Sequence, residues 1–204
     1  GNIRLTVPML FCLAFIITFL NGGITGLFLG NVSVDVPLSD TMFVVAHFHF
    51  IMAGAGLFGL LAAVYYWFPK MFGRHMNERA SKVHFWFTFI AYYGVFFPMH
   101  YLGIAGMMRR IYDPNTYDYL KPFQNVNTFI SISAFILGLA QVIFLANYFW
   151  SMVKGKKVES ENPWHANTLE WSTPIHPGHG NWPGEIPEVY RWPYDYQHPD
   201  EEGD

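Results

Sequence analysis

Four apolar stretches, each long enough to span a bilayer core, constrain this chain before anything else. They run from about Leu5 to Leu29, Thr41 to Phe68, Val83 to Met108 and Phe123 to Val153. A helix needs roughly 20 apolar residues to cross the hydrocarbon, and inside it every backbone polar group must be satisfied within the segment. Only 13% of residues are charged, against 52% hydrophobic, about half the charged share of a soluble domain. The pattern predicts an all-α membrane protein. Four transmembrane helices are joined by turns at Gly30-Asn31, Val36-Pro37, Phe72-Gly73 and Asp113-Pro114-Asn115. The one cysteine, Cys12, excludes an intrachain disulfide and a thiolate metal site.

Charge gives an orientation. Arg4, Lys70, Arg74, Arg79, Lys82, Lys154, Lys156 and Lys157 fall on one side of the four spans, which the positive-inside rule assigns to the cytoplasm or mitochondrial matrix. Both termini are then inside. From Glu159 the chain turns polar and rich in Pro, Trp and Tyr, without a helical period. The expected organisation is a four-helix transmembrane region over residues 1–157 and an extended inner-side tail over 158–204, packed on something larger. His165, His176, His179 and His198 in the tail include a loose His-x-x-His, without the further ligands that a four-ligand zinc site needs.

His47 and His49 stand two residues apart inside the second span. Ionisable groups within a span are functional candidates by default. Positions i and i+2 lie about 200° apart on a helix, so the rings leave opposite faces and suit two centres better than one chelate. His47 is seven residues below Asp40, about 10 Å in depth. Arg109 and Arg110 end the third span on that same outer side, against the charge bias. An anionic ligand would hold them, since Arg pairs bidentately with carboxylates. A haem meets both demands, with an axial imidazole for its iron and cations for its propionates.

Blander readings stand beside this one. An intramembrane His can bond across helices, and Arg109-Arg110 can anchor lipid phosphates. His84 and His100, near the ends of the third span, read as snorkelling or interfacial residues, and His75 as a loop residue. The runs Tyr65-Tyr66-Trp67-Phe68 and Phe85-Trp86-Phe87 read as an aromatic belt. Gly54, Gly56 and Gly59 read as close helix packing.

Several motifs in order resemble subunit I of haem-copper cytochrome oxidases. They are Gly22-Gly23-Ile24-Thr25-Gly26, Val34-Asp35-Val36, Asp40-Thr41, Val44-Val45-Ala46-His47-Phe48-His49 and Tyr66-Trp67-Phe68-Pro69-Lys70-Met71-Phe72-Gly73. Phe97-Pro98, His100-Tyr101-Leu102-Gly103, Gly106-Met107 with Arg109-Arg110, Asn162-Pro163-Trp164 and Thr168-Leu169-Glu170-Trp171 continue the match. The resemblance covers essentially the whole chain. It implies the last four of that subunit's twelve membrane helices plus the tail, as a fragment or one piece of a split protein.

The resemblance also assigns roles. His47 is implied as proximal ligand of the high-spin haem and His49 as an axial ligand of the low-spin haem, with Phe48 between them. Arg109 and Arg110 are implied to bind propionates, and Asp35 to lie near one. Asp40 matches a position at an outer magnesium site, yet the preceding residue is Ser39 where the family usually has a His ligand. The family's Met-Pro-Arg-Arg is Met107-Met108-Arg109-Arg110 here. The copper ligands, the second low-spin ligand and the main proton-channel elements belong to earlier helices of the family, so no complete catalytic site is expected on this chain. The implied cofactors are two haems, of haem a type, with copper held outside this chain and magnesium open. The implied partners are the N-terminal part of subunit I, subunits II and III, cytochrome c and the lipid bilayer, with no nucleic acid. The implied place is a bacterial inner membrane, or the mitochondrial inner membrane. The implied activity is electron transfer from cytochrome c to oxygen, forming water, coupled to proton pumping. A quinol oxidase of the same superfamily, a non-catalytic haem-binding electron carrier and a small transporter are the competing readings.

Overall fold

The computed structural model describes residues 3–175, 179–182, 184–186 and 188. Six α-helices follow in order: α1 Val7–Gly30, α2 Val32–Leu38, α3 Met42–Phe48, α4 Ala55–Phe72, α5 Glu78–Ile104 and α6 Gln124–Lys154. Short 3-10 turns cover Pro114–Thr116, Asp118–Phe123 and Leu169–Trp171. Four helical stretches are long and apolar enough to cross a membrane: Val7–Gly30, Met42–Phe72, Glu78–Ile104 and Asp118–Lys154.

Local chemistry explains the boundaries. Pro8 sits in the first turn of α1, where its missing N–H is no loss. Asn31 caps α2 by accepting from Ser33 N, Thr41 caps α3 through Phe43 N, and Asn77 caps α5 through Ala80 N. Gly73 ends α4 in the left-handed region at φ 62, with its N–H on Pro69 O. The stretch around Val36-Pro37, expected as a turn, is instead inside α2. Asn31 O opens that helix by accepting from Val34 N and Asp35 N.

The third span also stops earlier than hydropathy suggests, at Ile104 rather than Met108. Gly106, at φ +86, turns the chain. Met107 O then accepts from Met42 N at 2.9 Å, and Thr41 and Met108 form an isolated antiparallel bridge. Side-chain hydropathy does not register that backbone pairing.

The second span is not one uniform helix. A π turn over His49–Gly54 separates α3 from α4. Around it α1, α4 and α5 share an aromatic core: Phe11 stacks on Tyr65 at 5.4 Å and meets Phe85 edge-on at 4.9 Å, while Phe58 meets Tyr92 at 5.3 Å. Helix α6 packs on α5 through small and polar contacts. A Cβ on Gly94 would come within 2.7 Å of Ser133 Oγ.

His84 is fully buried in this bundle. Its Nδ1 accepts from the Tyr65 hydroxyl at 3.0 Å, and its Nε2 donates to Gln141 Oε1 at 3.3 Å. The expectation of a snorkelling residue is corrected, because both ring nitrogens find partners inside. His100 likewise points inward, edge-on to Phe43 at 4.9 Å, with Nε2 buried.

The basic end of the bundle is knitted to the tail. Arg74 Nη1 donates to Gly155 O at 2.7 Å, His75 N to Lys156 O at 2.8 Å and Val158 N to Gly73 O at 3.0 Å. Trp164 Nε1 donates to Tyr66 O at 2.9 Å, and Lys70 donates to Thr173 O. Trp171 is buried, edge-on to Tyr66. His176 and His198 of the tail cluster lie outside the described residues.

Candidate haem-binding site

The site begins with two rings on α3 and the π turn. His47 directs Nδ1 at Gly22 O of α1, 2.9 Å away, with Thr25 Oγ1 at 3.1 Å. The Thr25 hydroxyl itself donates to Gly22 O at 2.8 Å. A carbonyl only accepts, so Nδ1 of His47 carries a proton, and Nε2 is the nitrogen whose lone pair a metal would take. Gly26 makes room for this ring: a Cβ there would lie 3.1 Å from His47 Cε1.

His49 reaches the same electronic state by a different route. Its Nδ1 meets Val45 O, one turn back, at 2.7 Å. Its ring lies flat on Phe96 of α5, centroids 4.3 Å apart and 15° from parallel. So His47 is oriented by α1, and His49 by its own helix and α5. Both rings are half-buried, and neither Nε2 has a hydrogen-bond partner among the described residues. Imidazoles that ligate metals almost always donate their other N–H to a carbonyl or carboxylate, which fixes the tautomer and raises basicity. Both histidines therefore have the donor chemistry of a metal-holding imidazole.

The second group lies at the end of the bundle where α3 starts and α5 stops. Arg109 Nε and Nη2 donate to Asp40 Oδ1 at 2.9 and 2.5 Å, and Arg109 N donates to Asp40 O at 2.9 Å. Two of the five N–H bonds of that guanidinium are thereby used, leaving the others for a further carboxylate. Asp40 and Arg110 hold positive φ, at 60 and 66. Arg110 is exposed, Asp35 is half-buried in α2, and Ser39 is exposed as the C-cap of α2.

The Arg109–Asp40 pair was not expected from sequence, where the resemblance matched Asp40 to a position near a magnesium site left open by Ser39. Tyr92 was missed too: its hydroxyl donates to His49 O at 2.7 Å. No spacing rule points to it, because α5 and the π turn are far apart in the chain. Thr25 and Gly22 belonged to a recognised motif, but only the fold aims them at His47. Among the described residues no three His, Cys, Asp or Glu side chains gather as a metal site.

These features define a class: a nearly all-helical membrane protein with two imidazoles on one span, each held at Nδ1 by a backbone carbonyl. Comparison narrows the class. The chain belongs to the family Cytochrome C and Quinol oxidase polypeptide I, whose model matches residues 1–163. It is 55% identical over 98% of its length to the alternative cytochrome c oxidase subunit 1 of Bradyrhizobium diazoefficiens, covering 34% of that protein. It is 44% identical over 96% of its length to cytochrome c oxidase subunit 1 of Thermostichus vulcanus, again covering 34%. The chain thus spans about a third of the length of these curated relatives. A haem-copper terminal oxidase dimer solved by cryo-electron microscopy shares the fold, with a TM-score of 0.64 at 19% identity over 75% of this chain and 28% of that one. The family implies haem and copper as cofactors.

Proposed function

We propose that this chain is the C-terminal part of the catalytic subunit of a proton-pumping terminal oxidase that passes electrons from cytochrome c to oxygen and forms water. The observation that carries the reading is the pair of committed tautomers: each Nδ1 donates to a carbonyl, and each Nε2 is left to bind. His47 would hold the iron of the high-spin haem, and His49 that of the low-spin haem. When bound, the haems would supply one-electron chemistry and the reduction of oxygen.

The residues of this chain hold and orient. Gly22 O and Thr25 keep the His47 ring from rotating, and Phe96 keeps His49 in plane. Arg109 and Arg110 neutralise propionates, with Asp35 close to one of them, and Asp40 keeps the Arg109 fork in place. With Asp40 engaged by Arg109 and Ser39 in place of a His, a magnesium ion here needs ligands from elsewhere. Copper, too, takes its ligands outside this chain. The haems are of a type. Residues 1–157 form the membrane region and 158–204 a tail on its inner side, in a bacterial inner membrane, with both termini inside. The gathering of Lys70, Arg74, Lys154 and Lys156 at one end of the bundle supports that orientation. The partners are the preceding part of subunit I, subunits II and III, cytochrome c and the bilayer.

Reduced-minus-oxidised spectra of the assembled complex, with and without carbon monoxide, test the assignment. His47→Ala removes the carbon-monoxide signal, and His49→Ala removes the low-spin band. Loss of the same haem in both variants would sink the two-centre reading.

A further inference from the structure

Helix α5 carries a hydroxyl that the ligand geometry does not otherwise require. Tyr92 is 2% exposed, and its O–H ends on the backbone carbonyl of His49, 2.7 Å away. That carbonyl is the first of the π turn His49–Gly54. In a π turn the i→i+5 pattern replaces the i→i+4 one, so the carbonyl of His49 lies where the regular helical ladder changes register. The far end of the same turn is Gly54. A Cβ on Gly54 would meet Tyr92 Oη at 2.8 Å and Tyr92 Cε1 at 2.9 Å, besides Thr18 Cγ2 at 2.6 Å. The tyrosine therefore bridges both ends of the turn, bonding to its start and filling the space its last residue leaves. Phe50, inside the turn, packs edge-on against the Tyr92 ring at 6.0 Å. One turn along α5, Phe96 lies against the His49 ring, and the Tyr92 and Phe96 rings touch at 4.6 Å.

We infer that Tyr92 is a positioning residue for His49: its hydroxyl pins the backbone of that ligand from α5, while Phe96 fixes the ring, so that α5 sets how the imidazole meets the low-spin haem. His47, whose ring is tied to α1, is outside this control. The inference rests on the assignment of His49 to the low-spin haem. A buried tyrosine whose hydroxyl meets a ligand's own carbonyl touches no reacting atom and acts only through that ligand.

The test uses the assembled complex. Tyr92→Phe keeps the ring and deletes the bond. The expected result is unchanged haem content and carbon-monoxide spectrum, with a shifted and broadened low-spin electron paramagnetic resonance signal and a shifted low-spin reduction potential. Gly54→Ala, which drives a methyl into the hydroxyl, produces the same shift. Tyr93→Phe, whose hydroxyl accepts from Asn21 instead, produces none. A wild-type low-spin signal in Tyr92→Phe, or equal shifts at both haems, overturns the inference. Should neither Tyr92→Phe nor Gly54→Ala assemble, redox-difference infrared spectra of the wild-type complex, isotope-labelled at the histidine carbonyl, decide. A labelled band that moves with the low-spin haem supports the role, and its absence overturns it. His49→Ala with an intact low-spin signal would instead refute the ligand assignment itself, a separate outcome.

Discussion

At the scale of single residues, the decisive fact about His47 and His49 is which nitrogen is spoken for. Sequence placed both inside a span and on opposite faces, but could not say that a glycine carbonyl and a valine carbonyl would fix both tautomers alike. Arg109 was legible as a misplaced cation, whereas its partner was not, because Asp40 and Arg109 meet only through the backbone pairing of Met42 with Met107. Their ion pair is largely solvent-facing, with side chains 27% and 75% exposed, and exposed pairs contribute at most about 1 kcal/mol. Asp40→Asn is a clean probe, since Asn accepts the positive φ that Asp40 holds. We expect thermal melting of the variant complex to fall by no more than a few degrees. A collapse of assembly would show that the carboxylate supports more than Arg109.

Among elements, the helices that hydropathy located are present, and their ends differ where backbone meets backbone. The early stop of α5 follows from Gly103 and Gly106, not from polarity. A Cβ on Gly103 would fall 2.1 Å from Phe43 N, so α3 and α5 touch there without side chains between them. Gly103→Ala has no flexible neighbour to displace and should cost about 3 kcal/mol or more. Gly138→Ala in α6 meets nothing within 4 Å and should gain up to about 1 kcal/mol of helix propensity. Denaturation of the two variants side by side in one detergent checks the contrast; equal stabilities would mean that the α3–α5 contact yields easily. The π turn left no trace in the hydrophobic pattern, since every residue in it after His49 is apolar or glycine whichever way the helix winds. His84 was misjudged for a related reason. Depth along a span is readable from sequence, but whether a polar residue faces lipid or Tyr65 and Gln141 depends on neighbours contributed by other helices.

Over the whole molecule, the basic end is where bundle and tail lock together. His75 sits in that lock, its N–H on Lys156 O. Burial first, and the nearby Lys156 ammonium second, hold its imidazole below the usual histidine range, against a smaller opposing pull from Glu159. The unfolded or undocked chain therefore binds a proton more readily than the docked one, and docking strengthens as pH rises. Its contribution is complete above about pH 6.5 and is lost as pH falls through the depressed folded value. Amide exchange at position 75 and at Val158, corrected for intrinsic rates, should accelerate below pH 6.5 more in the native chain than in His75→Gln. Identical pH profiles would remove His75 from the lock.

One further consequence follows from the spacing of the two rings. Their attachment points are separated by a single residue, about 3 Å of helical rise. Two residues of chain cap that interval at about 7 Å even when fully extended, whatever the temperature, the bilayer thickness or the packing of the core. The chain thus acts as a ruler: mutations elsewhere in the bundle can tilt either imidazole, but they cannot alter the length of peptide between them. Under the proposed assignment of one haem to each ring, the peptide between the rings bounds how far drift in the surrounding packing can separate the two attachment points.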